Sequence, residues 1–206
     1  MPTDRLILFG AGGHASVVID ALQSRGEAEN ILLCSDDPAQ TGQSVLGHRI
    51  VLFEPQLAEG ADFHICIGNV SARRSMHMRL LAAGARPQTI LHPSAIVARS
   101  ALVGAGAFIA AGAIVSAEAS IGLSAIVNHA AIVDHQSRVG DFSHIAPGAT
   151  IAGNVRIGEQ TLIGAGANVL PGIEVGQNCV VGAGAVLTRS IADDQKFAGI
   201  PARRMT

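Results

Sequence analysis

Three histidines crowd the second half of the chain, His129, His135 and His144, and a fourth, His14, follows a run of glycines near its start. With an ordinary pKa of about 6.5, an imidazole is the usual general base near neutral pH. One of these could take the proton from an attacking hydroxyl or amine during acyl transfer, with donors aimed at the developing oxyanion. Such a transfer needs no covalent enzyme intermediate if both substrates sit side by side. The second chemistry is anion binding. In Gly10-Ala11-Gly12-Gly13-His14-Ala15 the glycines let the backbone approach a phosphate, and the N-terminus of the helix that follows favours negative charge. Asp36 and Asp37 stand about 20 residues further on, where an acid can bond ribose hydroxyls. His14 either caps the first helical turn or bonds a phosphate or sugar hydroxyl. Arg73 and Arg74 either neutralise a phosphate or belong to a solvated helix face.

Short strands and helices must carry the glycine loop. Residues 5–10 read as a buried strand, and 16–22 are apolar at helical spacing with a stop near Gly26. Residues 31–34 read as a second strand ending at Ser35-Asp36-Asp37-Pro38. Residues 63–67 read as a third, running into Gly68-Asn69, with a helix over 71–83 closed by Gly84. Alternating strands and helices argue a small parallel α/β unit over residues 1–88. A full dinucleotide fold needs two such halves, so a mononucleotide moiety fits this length better than a dinucleotide.

A different rule governs residues 89–206. Stepping by six from Val97 to Leu187 meets sixteen positions, all of them aliphatic. The residue two before each is usually small, as at Ala107, Ala113, Ala125 and Ser137, and glycine often follows, as at Gly104, Gly122, Gly140 and Gly158. Residues i and i−2 of a strand point to one side, so a large and a small side chain both face inward. Glycine or Asn at the corners would supply positive φ. A chain that turns every six residues closes a triangle in 18, and stacked coils pair as parallel strands about 4.8 Å apart. The 90 residues from Val97 to Leu187 make five coils without a long insertion. An ordinary amphipathic sheet would not hold that phase, and hexapeptide repeats are a signature of parallel β-helices.

The period also gives geometry. His135 and Gly153 differ by 18, so they lie on one side of adjacent coils, and the Gly153 N–H could face a thioester held near His135. His129 and His135 differ by six and fall on successive faces. A zinc site would therefore need a subunit interface, and no metal is expected.

Composition limits the rest. Hydrophobic residues make up 49%, enough for a sizeable core, and with no Trp or Tyr that core must be narrow and aliphatic. A net charge of −2 and the lack of a basic patch argue against nucleic acid. Cys34, Cys66 and Cys179 are far apart and odd in number, as for buried reduced thiols in a cytoplasmic protein. Met1–Gly10 reads as a strand and not as a signal peptide, and no apolar run reaches the roughly 18 residues of a membrane helix.

Several motifs together resemble one family. They are Gly10-Ala-Gly-Gly-His14, Asp36-Asp37, Ile67-Gly68-Asn69, His92-Pro93-Ser94-Ala95, Asp134-His135, the run from Gly140 to Gly148, and Gly199-Ile200-Pro201-Ala202. The chain resembles, over nearly all its length, the hexapeptide-repeat sugar acetyltransferases of the sialic acid O-acetyltransferase and nucleotide-aminosugar N-acetyltransferase type. The resemblance implies a left-handed β-helix behind a Rossmann-like α/β domain, acetyl-CoA as co-substrate, and a homotrimer with active sites between subunits. It makes His135 the catalytic base, Asn128 the residue that positions it, and His144 a neighbour of the acetyl group. It makes Gly153 the backbone donor to the thioester carbonyl, and Ala165 and Ala183 the wall along which pantetheine runs. Gly12, Gly13, His14, Asp36, Asp37, Gly68 and Asn69 become the nucleotide-sugar site.

One position departs from the pattern. The family often has Asp or Glu directly after the base, where this chain has Gln136. A carboxylate would stabilise the imidazolium and raise the base's pKa, whereas glutamine orients without charge. Either the base is weaker or Asp134 substitutes. The expected activity is N-acetylation of a nucleotide-linked amino sugar for surface polysaccharide synthesis. The alternatives are O-acetylation of a sialic-acid-like sugar, a non-catalytic nucleotide-sensing scaffold, and, poorest, a carbonic anhydrase of the γ class.

Overall fold

The computed structural model describes residues 5–205. Met1–Asp4 of the expected first segment and Thr206 lie outside the described residues. The first part alternates β1 (Leu6–Phe9), α1 (Gly13–Ser24), β2 (Ile31–Ser35), β3 (Val51–Leu52), β4 (Asp62–Ile65), α2 (Val70–Ala82) and β5 (Arg86–Pro87). These strands form one parallel sheet in the order β3-β2-β1-β4-β5. Sequence periodicity missed β3 and β5, because two residues are too few to show a period. It also missed the hairpin of Ser44–Val45 with His48–Arg49 that follows β2.

From Ile90 onward, two-residue strands recur every six residues and pair at a spacing of 18, as in Val127 with Ile145, Ile145 with Ile163, and Ile163 with Val181. Three parallel faces result. The docked face carries Ile90, Phe108, Ile126 and His144 outward. The apolar face carries Ile96, Ile114 and Ile132. The charged face carries Arg138, Arg156 and Glu174. The sixfold aliphatic positions and the small residues two before them fill the interior, most of them fully buried. Ser137 is fully buried in this column and is satisfied there: its Oγ donates to the Ala152 carbonyl at 2.7 Å and accepts the Val155 N–H at 3.0 Å.

The corners differ from expectation. From Val103 to Val181, positive φ falls three residues after each aliphatic position, and non-glycine residues often hold it, among them Gln136 (φ 59°), Phe142 (φ 57°) and Asn154 (φ 55°). The glycines directly after the aliphatic positions serve space instead. A Cβ on Gly140 would stand 2.6 Å from the Glu159 nitrogen in the next coil.

The two parts share a core. Leu8, Val18, Ile19 and Leu22 of the α/β part pack with Ile90, Phe108 and Ile126 of the docked face. At its far end the coil closes on Lys196–Ala198, which Arg203–Arg204 pairs antiparallel. Among the described residues no helix is long and apolar enough to cross a membrane.

Candidate active site

Between β1 and β4 the strand order of the small sheet reverses, and such a switch point opens a crevice at the carboxyl ends of the strands. The crevice here is a pocket of about 370 Å³. It draws together Gly12, Gly13, His14, Asp36, Asp37 and Gly68, all expected from sequence, along with Ser35 and Gln40, which were not. Gly10 makes the turn into it: φ is +104°, and a Cβ would stand 2.8 Å from Ile67 Cγ1. Gly12 caps α1 without a side-chain bond, so the first N–H groups of the helix remain open to an anion. Asp37 spends one oxygen on the Ala39 N–H at 2.9 Å, and Asp36 stands 3.8 Å from Arg79.

His14 is no helix cap. Its ring meets Phe108 edge-on, with centroids 5.4 Å apart, and its Nε2 is buried without a partner. Burial pushes its pKa down to about 3, and His64, His144, Arg73 and His129 add to the shift. His64 also meets Phe108, with centroids 5.9 Å apart, and bonds the Gln88 carbonyl through Nδ1 at 2.9 Å. Burial lowers it to about 4 against the pull of that carbonyl. Nothing in the sequence marked His64, which reads as one apolar-facing position of a strand.

A second pocket of about 500 Å³ shares Gly68 with the first and continues past Asn69, Ser71, His144, Gln160 and Asn178. Asn69 caps α2 by accepting the Ala72 N–H at 3.0 Å, so its oxygen is committed to the helix. His144 stands outward on the docked face, and the Asn128 amide meets its Nε2 at 3.1 Å. Asn128 was expected at His135; within the chain it holds His144 instead. Burial first, and then Arg73, lower the His144 pKa to about 4, while the Gly68 carbonyl opposes them.

His135 lies elsewhere, exposed on the corner between the apolar and charged faces. Its ring lies over Gly153: a Cβ there would stand 2.5 Å from Cε1. The Gly153 N–H makes no hydrogen bond among the described residues. Asp134 accepts the backbone N–H of His135 at 2.7 Å. Gln136 turns to Glu118 one coil back, donating at 3.1 Å. Ala165 and Ala183 are exposed, one above the other, on the corner that carries Asn128. Arg74 is exposed and Arg73 is buried, and neither lines the glycine-loop pocket. The candidate residues thus fall into two groups, the glycine-loop pocket with its neighbour at His144 and the corner that carries His135.

Comparison with known proteins bears on both halves. The PglD N-terminal domain family matches residues 5–80, and the hexapeptide repeat of succinyl-transferase matches residues 154–189. No curated protein matches the sequence. Perosamine N-acetyltransferase from Caulobacter crescentus, solved as a point mutant in complex with CoA and GDP-perosamine, superposes with a TM-score of 0.92. It is 32% identical over 98% of this chain and 97% of that one. The acetyltransferase domain of PglB from Neisseria gonorrhoeae superposes at 0.90 and is 35% identical over 98% and 100%. The chain belongs to the hexapeptide-repeat sugar acetyltransferases. WeeI from Acinetobacter baumannii, 21% identical over 98% and 99% with a TM-score of 0.87, shares the fold. Membership in the acetyltransferases carries the left hand of the coil and the reaction class, acetyl transfer from acetyl-CoA to a sugar. Among the described residues no three His, Cys, Asp or Glu converge on a point that could hold a metal ion.

Proposed function

We propose that this acetyltransferase moves the acetyl group of acetyl-CoA onto the amino group of a nucleotide-linked sugar. The observation that carries the reading is the glycine-loop pocket at the switch point, present in the same chain as an imidazole laid over an open backbone N–H. The Caulobacter structure, with GDP-perosamine and CoA, and the Neisseria domain, solved also with acetyl coenzyme A, support the substrate pair. In this reading residues 1–88 hold the nucleotide and residues 89–206 carry out the transfer. Ala165 and Ala183 leave room along the coil for the pantetheine chain. The enzyme works in the cytoplasm and supplies surface polysaccharide synthesis.

The neutral amine attacks the thioester carbonyl, and His135 takes the proton that the nitrogen gives up. Gly153 N–H donates to the oxyanion. As the carbon–sulfur bond breaks, the imidazolium returns the proton to the sulfur, so the products are amide and free thiol. The two groups lie apart on one chain, so we infer that they meet, as half-sites, across a homotrimer. The apolar face supports this, because Ile96 is 63% exposed beside the half-buried Ile114 and Ile132, a stripe that a second copy would cover.

The test is thiol release from acetyl-CoA with UDP-, GDP- and dTDP-linked 4-amino sugars beside free sialic acid. Turnover with one of the nucleotide sugars is expected. Turnover with sialic acid alone would make the enzyme an O-acetyltransferase, and nucleotide binding without any transfer would leave a sensing scaffold. Replacing the base, His135→Ala, should cut turnover by roughly 10²–10⁴ with acetyl-CoA binding retained. An unchanged rate would move the base to another histidine.

A further inference from the structure

Arg73 is fully buried on α2, with 1% of its surface exposed, and no carboxylate pairs with it among the described residues. All five N–H groups of its guanidinium instead meet backbone carbonyls. Nε donates to Ser124 at 2.8 Å, one terminal nitrogen to Ile67 and Gly68 at 2.8 Å each, and the other to Phe142 and to Ser143, the latter at 3.3 Å. These carbonyls come from two places. Ile67 and Gly68 form the loop after β4 that walls both pockets. Ser124, Phe142 and Ser143 belong to neighbouring coils, and Ser143 directly precedes His144. A planar fork with five fixed donors can join such a set, whereas a lysine ammonium has only three.

The joined Gly68 also packs against His144, and its carbonyl opposes the lowering of that ring's pKa. A Cβ on Gly68 would touch Cε1 of that ring at 4.0 Å. On the opposite side, Asn128 fixes the state of the ring. Its Oδ1 accepts the His129 N–H at 2.8 Å, so its Nδ2 can only donate to His144 Nε2. Nε2 must then be the bare nitrogen, and the proton sits on Nδ1. The row of contacts runs Arg73, Gly68, His144, Asn128, His129 backbone. Groups facing His144 from the packed elements are His14 on α1, Arg73 on α2, and Asn128 and His129 on the coil. Arg73 brings a full positive charge to this set, since burial lowers its pKa only to about 10.

We propose that Arg73 is a positioning residue for acetyl transfer: by tying the Ile67–Gly68 loop to the Ser124, Phe142 and Ser143 carbonyls it holds His144 within reach of the Asn128 amide, which sets its Nδ1–H tautomer, and fixes the glycine-loop pocket against the acetyl-side wall. The inference rests on the acetyltransferase reading for its kinetic part, while the tautomer can be read without any turnover. Protein labelled with ¹⁵N-histidine and saturated with CoA is examined by long-range ¹H–¹⁵N correlation, and the wild type should show His144 protonated on Nδ1 at pH 7. An Nε2–H signal from the wild type would overturn the proposal, whatever any variant does. In Arg73→Lys the charge stays but the fork is lost. In the folded variant the His144 ring should drift from the Asn128 amide and show mixed tautomers, and kcat should fall by up to roughly 10²-fold, as for a misplacement of about 1 Å, with KM for acetyl-CoA little changed. A folded Arg73→Lys with wild-type kcat and tautomer would also overturn it. A wild type inactive on every nucleotide sugar, yet showing Nδ1–H, would refute the substrate reading and leave the row itself standing.

Discussion

A side chain at position 153 has nowhere to go, because the His135 ring already occupies that space. Gly153→Ala should push the imidazole off the corner and crowd the N–H that would meet the oxyanion. The expected result is a fall in kcat of at least tenfold, consistent with the 10²–10³ that the loss of one oxyanion donor costs. Little change in melting temperature should follow, since the ring is exposed and free to swing outward. Full activity in Gly153→Ala would place the oxyanion elsewhere. The contact of 135 with 153 was legible from the 18-residue period alone. The partner of Asn128 was not, since 16 residues separate it from His144 and a bond between different edge positions has no simple period. Arg73 was still less visible: its partners lie 5 to 70 residues away and are all carbonyls, which leave no trace in side-chain type.

At the scale of the element, each face of the coil has its own outward chemistry, and among the described residues only one is covered by the α/β part. Phe108 and Ile126 lie under the α/β part, while Ile96, Ile114 and Ile132 remain open. Ile114→Glu, a charge set in the middle of the open stripe, should yield a 21.0 kDa species in sedimentation and abolish acetyl transfer, with nucleotide binding kept. An active single chain would show that both half-sites can meet without a partner. The repeat itself was readable because its inward alternation is local and recurs sixteen times. The edge strands β3 and β5 were not, because their pairing depends on neighbours distant in sequence.

For the molecule as a whole, the seam between its two parts is lined with neutral imidazoles. His14, His64 and His144 are held at about 3, 4 and 4, chiefly by burial. The unfolded chain binds protons on these groups below about pH 6.5, whereas the folded chain refuses them until about pH 4 or lower. The unfolded state therefore holds more protons in that window, and stability must rise with pH across it. The melting temperature should drop as pH falls from 6.5 to about 4, and His144→Asn should make that slope shallower. An unchanged slope in the variant would mean that carboxylates elsewhere control the acid response. The last strand of the coil bears on a different hazard. A stack of identical turns has no natural length, and its bare terminal edge is a template on which the next chain can grow into a fibre. Arg203–Arg204 runs antiparallel to Lys196–Ala198 and sets two exposed cations on the outer edge of the docked-face sheet, a placement that opposes edge-to-edge growth on that face.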